Sequence, residues 1–573
     1  MSSKWTLIVL LALASRASAA STADPYHPDQ RSTRSQPPVA NAETSGNFWI
    51  NDAQNKIESR HYQGNAGGPG KARNVVLFLG DGMSNPTLAA ARTLFGQRNN
   101  RTGEEAQLSF ETFPTTGLAK TYCVNAQVAD SACTATAYLC GVKANSGTIG
   151  VTAEVPRWNC QASIPTSTHT DSIAAWALAD GRDAGIVTTT RVTHASPAGA
   201  YASVANRHWE NDAEVRNDGH DPNICPDIAH QLIHSYPGNR FKVILGGGRR
   251  EFLPTTSIDE EGTAGRRTDG KNLIQEWQND KAARNASYQY IWNKAQLLRV
   301  NDNLPEYLLG LFEGNHLQYN MQSNPNEEPT LAELTETAIK MLSRNEKGFF
   351  LFVEGGRIDH AHHDNLVELA LDETLELSAA VKRASELLSE EDSLLVVTAD
   401  HAHVMSFNGY TPRGGDILGP AGNRDSNSVP YMTLSYTNGP GFRQHVSGQR
   451  VDVTQELNYR KFIRIINSNI FSMSKVLNPC LFTGELNWRS HVDVPLESET
   501  HGGDDVAVFA TGPHHAMFSG LYEQSHLPHR MAYAACFGPG RTACNAAVVH
   551  RPILFALAPI VLIMRPTRKT DIT

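Results

Sequence analysis

Three uninterrupted apolar runs are the clearest pattern along the chain. They follow Asn74, Gly348 and Ser393, and each contains four or five consecutive hydrophobic residues. Runs without polar alternation are typical of strands buried on both faces of a mainly parallel sheet. Apolar residues recur with helical spacing between the runs, at 330–342 and 366–388. Strands that alternate with helices predict an α/β fold, a three-layer α/β/α sandwich around a large, mostly parallel sheet.

Acidic residues and histidines follow each apolar run. Asp81 comes after the first run, the segment 354–363 after the second, and Asp400, His401 and His403 after the third. Open parallel sheets bind ligands beyond the carboxyl ends of their strands, so these groups are expected to meet at one edge. Imidazole with carboxylate suits Zn²⁺, and ligand sets of oxygen alone suit Mg²⁺. Most of the 22 histidines need no such role, but this cluster predicts a metal centre.

Composition and charge narrow the function further. The 573 residues are 40% hydrophobic, which is enough for a large core. Lys and Arg total 50 against 59 Asp and Glu, giving a formal charge of −9. A nucleic-acid-binding protein normally shows a basic surface, so no nucleic-acid partner is expected.

Both ends of the chain resemble targeting segments. A basic start, a short apolar run and a small-residue cleavage site predict a signal peptide over 1–19, followed by a disordered arm over 20–45. The hydrophobic tail 546–573 resembles a lipid-anchor signal, with an amphipathic or disordered tail as the alternative. We therefore expect the secretory pathway and a GPI anchor at the outer face of the plasma membrane. Asn100 and Asn285 are candidate N-glycosylation sites.

The residues between these ends, 46–545, are predicted to form one catalytic domain. Within it, residues 408–496 are rich in Gly, Pro and Asn and predict an inserted, irregular, crown-like surface subdomain. The segment 461–488 is atypical because it is rich in Ile, Asn, Phe and Ser. Its two explanations are a lineage-specific loop and intron sequence retained in a gene model, and we favour the second.

Ser131 is the candidate nucleophile. Asp130 and Ser131 open a run of helix-forming residues, so Ser131 is expected at a helix N-terminus, where backbone N–H groups favour an anion. Asp and Ser are also the usual capping residues, so a plain helix cap is the alternative. No Gly-x-Ser-x-Gly elbow surrounds Ser131, which gives no support to an esterase triad. A metal ion could instead activate the hydroxyl.

Five separated motifs make the chain similar to the animal alkaline phosphatases, insect-like and secreted or membrane-anchored. They are DSACTATAYLCGVK at 130–143, TTTRVTHASPAG at 188–199, VEGGRIDHAHH at 353–363, TADH at 398–401 and ETHGG at 499–503. The resemblance runs from about residue 48 to 544. It implies hydrolysis of phosphate monoesters to an alcohol and inorganic phosphate through a phosphoserine, with two Zn²⁺ and one Mg²⁺.

The resemblance also implies roles for matching residues. Ser131 would be the nucleophile, Arg207 would clamp the phosphate with its planar fork, and His360 would act beside them on ligands or water. The implied metal ligands are Asp359, His363 and His501 for one Zn²⁺; Asp81, Asp400 and His401 for the second; Asp81, Ser196 and Glu354 for Mg²⁺; and Glu261, the Phe312 carbonyl, Glu313 and Glu328 for a fourth ion, expected to be Ca²⁺. The residues implied to support these ligands are Asp130, His194, His403 and Tyr410.

Cysteines and subunit contacts complete the expectations. The resemblance implies disulfides and a free thiol, which are Cys160–Cys225, Cys536–Cys544 and Cys140. A third bridge between Cys123 and Cys133 is our own hypothesis, because both lie near Ser131 in an oxidised compartment. The family is dimeric, and Tyr410 and the Phe48 region match residues that contact the partner subunit.

One departure and two alternatives bear on the function. Ser498 stands where vertebrate members carry an acidic residue near the first zinc. The alternative enzyme is a related phosphodiesterase or sulfatase, but those use Thr or a modified Cys at the position of Ser131, and the Ser196–Glu354 pair also favours the monoesterase. The alternative outside enzymology is a catalytically weak surface glycoprotein acting as a receptor, which the complete ligand set argues against.

Overall fold

The structure is a computed structural model, and it describes residues 41–62, 70–456, 459 and 486–541. The predicted signal peptide, the C-terminal tail and most of the segment 461–488 lie outside these residues. The described residues begin within the predicted N-terminal arm, where Asn41–Thr44 form a 3₁₀ helix and the first α-helix starts at Gly46.

A sheet of ten strands forms the centre of the molecule. The strands of the structure, in chain order, are β1 (Asn74–Gly80), β2 (Thr115–Lys120), β3 (Asp183–Arg191), β4 (Val243–Gly247), β5 (Tyr288–Ile291), β6 (Tyr307–Leu311), β7 (Phe349–Gly355), β8 (Ser393–Ala399), β9 (Ala402–His403), β10 (Met405–Phe407), β11 (Pro420–Arg424), β12 (Pro430–Met432), β13 (Leu434–Gly439), β14 (Val492–Pro495), β15 (His501–Gly502), β16 (Val506–Thr511) and β17 (Gly520–Glu523). The order in the large sheet is β17-β2-β16-β8-β1-β7-β3-β4-β6-β5. Strand β16 runs antiparallel to β2 and β8, and the other neighbouring pairs are parallel.

The three apolar runs of the sequence form neighbouring strands. They are β8, β1 and β7, and every residue in them is buried. Their parallel register aligns Gly80, Gly355 and Ala399 at the carboxyl ends. The predicted strands and the mostly parallel sheet are confirmed, and the ends of three strands meet at the middle of one edge.

Helices cover the sheet in two groups. They are α1 (Gly46–Tyr62), α2 (Asn85–Arg98), α3 (Ser131–Cys140), α4 (Cys160–Ser163), α5 (Ile173–Ala179), α6 (Ala195–Ala198), α7 (Asp212–Asn217), α8 (Ile228–His234), α9 (Leu273–Ala283), α10 (Lys294–Val300), α11 (Leu331–Leu342), α12 (Arg357–His363), α13 (Val367–Leu387) and α14 (His526–Ala535). Helices α2, α11 and α13 pack in one group, and α3, α5, α6 and α14 pack in the other. These groups form the outer layers of the α/β/α sandwich.

The two helices predicted from apolar spacing are confirmed, with ends shifted by a residue. Helix α11 begins after Thr330, whose side chain accepts from the backbone N–H of Glu333 while the Glu333 carboxylate accepts from the backbone N–H of Thr330. This reciprocal cap satisfies two N–H groups that the helix itself leaves unpaired. Within the residues that the structure covers, no helix combines the length and apolar character required to cross a bilayer.

The predicted crown-like insertion carries short strands of its own. Strands β11 and β12 form a hairpin, and β13 pairs with β10 and β14. The insertion is joined to the large domain by His362, whose Nδ1 lies 2.7 Å from the hydroxyl of Tyr436 and whose Nε2 lies 3.0 Å from Thr87 Oγ1. Irregular loops connect the short strands of this region.

Two of the three predicted disulfides are present among the described residues. Cys160 is bonded to Cys225, and Cys123 is bonded to Cys133, as hypothesised. Cys140 is a buried free thiol, as expected. Cys536 is also disulfide-bonded, and its predicted partner Cys544 lies outside the described residues.

Candidate active site

The predicted ligands meet at the carboxyl edge of four adjacent strands, β8, β1, β7 and β3. Asp81 directly follows β1, and Asp400 directly follows β8. Gly82 has a φ of +67°, and a Cβ at this position would lie 2.3 Å from the ring of His403, so only glycine allows this tight turn. Glu354 is the penultimate residue of β7, and Ser196 lies in the short helix that follows β3.

The first predicted zinc set is assembled. Asp359 and His363 lie one turn apart on α12, with Oδ2 and Nε2 separated by 3.3 Å. His501 comes from β15, 138 residues further along the chain, and its Nε2 lies 3.1 Å from Nε2 of His363 and 3.4 Å from Oδ1 of Asp359. Strand β15 pairs His501 with His403 of β9. His403 Nε2 lies 2.7 Å from Asp359 Oδ1, so it contacts this set directly.

The second predicted zinc set contains the candidate nucleophile. His401 Nε2 lies 3.1 Å from Asp400 Oδ2 and 3.5 Å from Asp81 Oδ1. The same nitrogen lies 3.3 Å from the Oγ atom of Ser131. All four residues are at most 1% exposed.

The third predicted set shares Asp81 with the second. Ser196 Oγ lies 3.4 Å from Asp81 Oδ2. Glu354 completes the set, and its Oε2 accepts hydrogen bonds from the hydroxyls of Thr188 and Thr190 at the end of β3. The threonines in the TTTRV motif therefore orient the Glu354 carboxylate.

Unpaired oxygens and raised pKa values show that these carboxylates fit cations. Asp81 Oδ1, Asp400 Oδ2 and Glu354 Oε1 are buried without a hydrogen-bond partner, although buried polar atoms are almost always paired. Burial and the neighbouring Asp400 raise the pKa of Asp81 well above its usual range, and burial raises the pKa of Glu354 to about 7. Bound cations would satisfy the free oxygens and neutralise the repulsion between the carboxylates. Two of the sets offer mixed imidazole and carboxylate ligands, and the Ser196–Glu354 set offers oxygen alone.

Ser131 is the first residue of α3, as the sequence predicts. Asp130 caps this helix by accepting from the backbone N–H of Ala132. Its Oδ2 atom also pairs with Arg207 Nη1 at 3.0 Å, and Arg207 Nη2 lies 3.4 Å from His194 Nε2. Burial would raise the pKa of Asp130, but the guanidinium of Arg207 holds it below its usual value. The arginine is thus held by the residue that precedes Ser131, with Nη2 near His194, whose pKa burial lowers well below its usual value.

Three histidines pack together behind Arg207. His360 lies 5.4 Å from His194 and 4.3 Å from His316, measured between ring centroids. Burial and then Arg357 lower the pKa of His360 to about 3, so its ring is neutral at physiological pH. His316 was missed by the sequence analysis, although it closely follows the buried strand β6 and so carries the same signal as the predicted ligands.

Glu499 is a second residue that sequence reasoning missed. Its carboxylate accepts from Nδ1 of His403 and from the backbone N–H of Val404, and its carbonyl oxygen lies 2.5 Å from Nδ1 of His363. Burial would lower the pKa of His403, but Glu499 and Asp359 raise it to about 10. Glu499 thus fixes two histidines at the first ligand set, and its place two residues before His501 was the available signal.

We expect Glu499→Gln to weaken metal binding at the first set by about 10-fold or more, because residues that orient metal ligands contribute on that scale. The amide cannot accept from both His403 and Val404. Competition with a chelator of known affinity measures the effect. Glu497→Gln removes the same charge from an exposed position two residues away and should leave affinity unchanged. Equal affinities for the two variants would contradict the role assigned to Glu499.

The four residues predicted for calcium are only partly brought together. The side chain of Glu328 is half-buried beside Glu313, and burial together with Glu313 raises the pKa of Glu328 to about 9. Glu261 instead pairs with Arg249 at 2.9 Å. Among the described residues, these side chains form no group of three ligand atoms within 4.8 Å of one another.

The remaining predicted residues lie at the surface. Tyr410 is 87% exposed on the crown-like insertion. Asn100 and Asn285 are exposed and have φ values of 59° and 58°, as expected for asparagines in turns. Their glycosylation stays a prediction. Ser498 Oγ lies 3.3 Å from His363 Nδ1, so the residue that departs from the vertebrate pattern still contacts the first ligand set.

The fold and site together define a metal-dependent α/β hydrolase, and comparison with known proteins specifies the class. The sequence model of the alkaline phosphatase family matches residues 72–537. The chain is 62% identical over 540 residues to the membrane-bound alkaline phosphatase of Bombyx mori, covering 93% of this chain and 94% of that one. It is 43% identical over 537 residues to the tissue-nonspecific alkaline phosphatase of Gallus gallus, covering 92% and 96%.

Solved structures show the same fold. The alkaline phosphatase of the Antarctic bacterium TAB5 matches with a TM-score of 0.53 at 19% identity, covering 81% of this chain and 98% of that one. The Thermus thermophilus enzyme matches with a TM-score of 0.54 at 23% identity, covering 81% and 91%. The chain belongs to the alkaline phosphatase family. It is an enzyme that hydrolyses phosphate monoesters and uses metal ions.

Proposed function

We propose that the enzyme works through a phosphoserine formed on Ser131, with two Zn²⁺ and one Mg²⁺ held by the three ligand sets. The observation that carries the proposal is the 3.3 Å separation of Ser131 Oγ from His401 Nε2. It places the hydroxyl at the second ligand set and at the N-terminus of α3 together. When bound, the cations lower the pKa of the hydroxyl and stabilise the charges on the entering and leaving oxygens.

Residues of the chain orient the two displacements. The Ser131 hydroxyl gives up its proton to solvent as Oγ attacks phosphorus, and the alkoxide of the substrate leaves and takes up a proton from solvent. The backbone N–H groups of α3 and the guanidinium of Arg207 bind the phosphoryl oxygens, because Asp130, which caps α3, also holds Arg207 at 3.0 Å. A water molecule then attacks phosphorus, releases a proton and displaces the serine oxygen, which takes up a proton, and inorganic phosphate leaves. Asp130 holds Arg207 in place through both steps.

Assignment of the ions follows the donor chemistry. Asp359, His363 and His501 offer two imidazoles and one carboxylate, a common set for a catalytic zinc with an open position. The Ser196–Glu354 set is made of oxygen and suits Mg²⁺. A fourth cation, Ca²⁺, belongs to the proposal through the facing carboxylates of Glu313 and Glu328.

Location and assembly are further parts of the proposal. The Bombyx mori relative is named membrane-bound, which supports a cell-surface enzyme. We propose that a lipid anchor added to the C-terminal region attaches it, after passage through the secretory pathway. We also propose a homodimer, which would bring a partner subunit to the exposed Tyr410.

A substrate comparison tests the proposed activity against its alternatives. The purified enzyme is assayed on a chromogenic phosphate monoester, a phosphate diester and a sulfate ester, each with and without a chelator. We expect monoester hydrolysis to dominate and to be lost with the chelator. Activity greatest on the diester or sulfate ester would favour the related hydrolases. If the enzyme shows no monoesterase activity that a chelator removes, the alternative of a catalytically weak surface receptor is favoured.

We expect Arg207→Ala to lower kcat/KM for a phosphate monoester by about 100-fold, since charge-assisted hydrogen bonds contribute about 1.5–3 kcal/mol each. Inhibition by inorganic phosphate should weaken in parallel, because the product uses the same contacts. Arg207→Lys is the matched variant: it keeps the charge but loses the planar fork, and an intermediate value is expected. Unchanged phosphate inhibition in Arg207→Ala would exclude this residue from phosphate binding.

A further inference from the structure

Three consecutive residues before and at the start of α3 each contact a different part of the active site. The contacts are Ala129 O with His501 Nδ1 at 2.7 Å, Asp130 Oδ2 with Arg207 Nη1 at 3.0 Å, and Ser131 Oγ with His401 Nε2 at 3.3 Å. A shift of this short segment would therefore disturb a metal ligand, the phosphate-binding arginine and the nucleophile at once.

The Cys123–Cys133 disulfide closes over this segment. Its Cα atoms are 5.8 Å apart, and its two ends, ten residues apart in sequence, enclose all three of the contacting residues. Cys133 lies in the first turn of α3, and Cys123 lies in the loop that follows β2. Both sulfurs approach Asp130: Cys133 Sγ lies 3.3 Å from its carbonyl oxygen, and Cys123 Sγ lies 3.9 Å from its Oδ1. The bridge therefore lies against the residue that caps α3 and orients Arg207.

Contacts that do not involve the sulfur atoms also hold the loop around the bridge. Both cysteines are 2% exposed and pack with Ala129 and Ala144 in a small apolar cluster. The loop is independently attached, since the backbone N–H of Val124 donates to Ala144 O at 3.0 Å and that of Gly147 donates to Asp130 Oδ1 at 2.9 Å. These hydrogen bonds remain when the sulfurs are removed. Between Val124 and Asp130, which these hydrogen bonds hold, the segment includes Val128, which is 44% exposed.

We infer that the Cys123–Cys133 disulfide is a positioning element for phosphoryl transfer, which fixes the segment that orients His501, Arg207 and Ser131. The physical reason is geometric: misplacement of reacting groups by about 1 Å can cost about 10²-fold in rate, and a covalent tie limits such displacements. The inference rests on the roles proposed above for Ser131 and Arg207.

The test compares two bridges in the full-length secreted enzyme. The double variant Cys123→Ser/Cys133→Ser removes the active-site bridge, and Cys160→Ser/Cys225→Ser removes a bridge between residues 65 apart in sequence. The longer loop should contribute more to stability, because a crosslink restricts the unfolded chain in proportion to the logarithm of loop length. A purely stabilising role would therefore make the second variant the more damaged of the two in every assay.

We expect loss of the Cys123–Cys133 bridge to lower mainly activity, and loss of the Cys160–Cys225 bridge to lower mainly thermal stability. Removing the active-site bridge should lower kcat/KM by about 10-fold or more and weaken inhibition by inorganic phosphate to a similar extent, even when the assay contains saturating Zn²⁺. Amide hydrogen exchange should quicken in the peptide that spans the bridge. Removing Cys160–Cys225 should lower the thermal midpoint further while leaving kcat/KM within about twofold.

The inference is overturned if the Cys123/Cys133 variant keeps kcat/KM and phosphate inhibition and loses only thermal stability. If that variant is not secreted, folded wild-type enzyme is reduced and alkylated until mass spectrometry shows that Cys123 and Cys133 are both modified. Its kcat/KM and its inhibition constant for inorganic phosphate then provide the same test. Failure of the proposed function has a different signature. A wild-type enzyme that forms no phosphoserine at Ser131 refutes that function whatever the cysteine variants do.

Discussion

Replacement of Ser131 by alanine is expected to lower kcat by about 10⁴-fold or more, in line with the loss of a nucleophile in other hydrolases. The hydroxyl is the attacking group in the proposed reaction, and its recorded contact in the structure is the 3.3 Å approach to His401. Its removal should leave the fold and the metal ligands intact. The variant should therefore retain its zinc while forming no phosphoenzyme, which mass spectrometry of acid-quenched enzyme can detect on the peptide containing residue 131.

Thr134→Ala is the matched control for this experiment. Thr134 lies one turn further along α3, is 1% exposed, and donates its hydroxyl to Asp130 O at 3.1 Å. Its loss removes a buried hydroxyl from the same helix end without touching the phosphate site, and kcat should change by less than about 10-fold. Phosphate recovered on another residue, or turnover retained by Ser131→Ala, would refute the nucleophile assignment.

Removal of the metal ions is expected to be the second large effect. A ligand present at 1,000 times its dissociation constant stabilises the folded state by about 4 kcal/mol, and several sites add to this. Stripping the ions also leaves buried carboxylates facing one another at the sheet edge. We therefore expect a large fall in the thermal midpoint on chelation, with recovery when Zn²⁺ and Mg²⁺ are returned.

The folding stability of the metal-free enzyme and that of the metal-loaded enzyme should change in opposite directions with pH. In the metal-free enzyme the folded-state pKa of Glu354 is raised to about 7 by burial, and that of Asp81 is raised by burial and Asp400. A raised carboxyl pKa favours the folded state at low pH, and this contribution is lost as pH rises through the folded-state value. The metal-free enzyme should lose stability between about pH 4.5 and 7, whereas the loaded enzyme should gain it, because the ligands bind metal when deprotonated.

Asp81→Asn isolates this effect. The amide relieves both the burial of a charge and its repulsion by Asp400, so the stripped variant should be more stable than the stripped wild type at pH 8. The loaded variant should be less stable than the loaded wild type, because it has lost a shared ligand. A change of the same sign in both forms would contradict the assignment of Asp81 to a cation.

The sequence patterns predicted the strands whose side chains all lie in the buried interior. The strands after Asn74, Gly348 and Ser393 are buried on both faces, so their apolar runs were unambiguous, and the ligands at their ends followed from sheet topology. The pairing of β15 with β9 could not be predicted in this way. A two-residue strand has no period, and only the three-dimensional fold brings His501 opposite His403.

Residues that act through hydrogen bonds to the ligands also could not be predicted from sequence patterns. Glu499 and His316 are single polar residues in loops, and a sequence gives no partner for either. The calcium site stays a prediction, and the ion pair of the buried Arg249 with Glu261 is a contact that the sequence did not indicate. Local chemistry around a loop residue depends on neighbours far away in the chain.

One carboxylate, that of Asp81, contributes an oxygen to each of two neighbouring ligand sets. Occupancy of either set must therefore change the affinity of the other, and thermodynamic reciprocity requires the factor to be the same in both directions. Magnesium would thus act as an effector of zinc binding without contacting the substrate. The enzyme's response to a changing supply of one ion is then a property of the pair of sites.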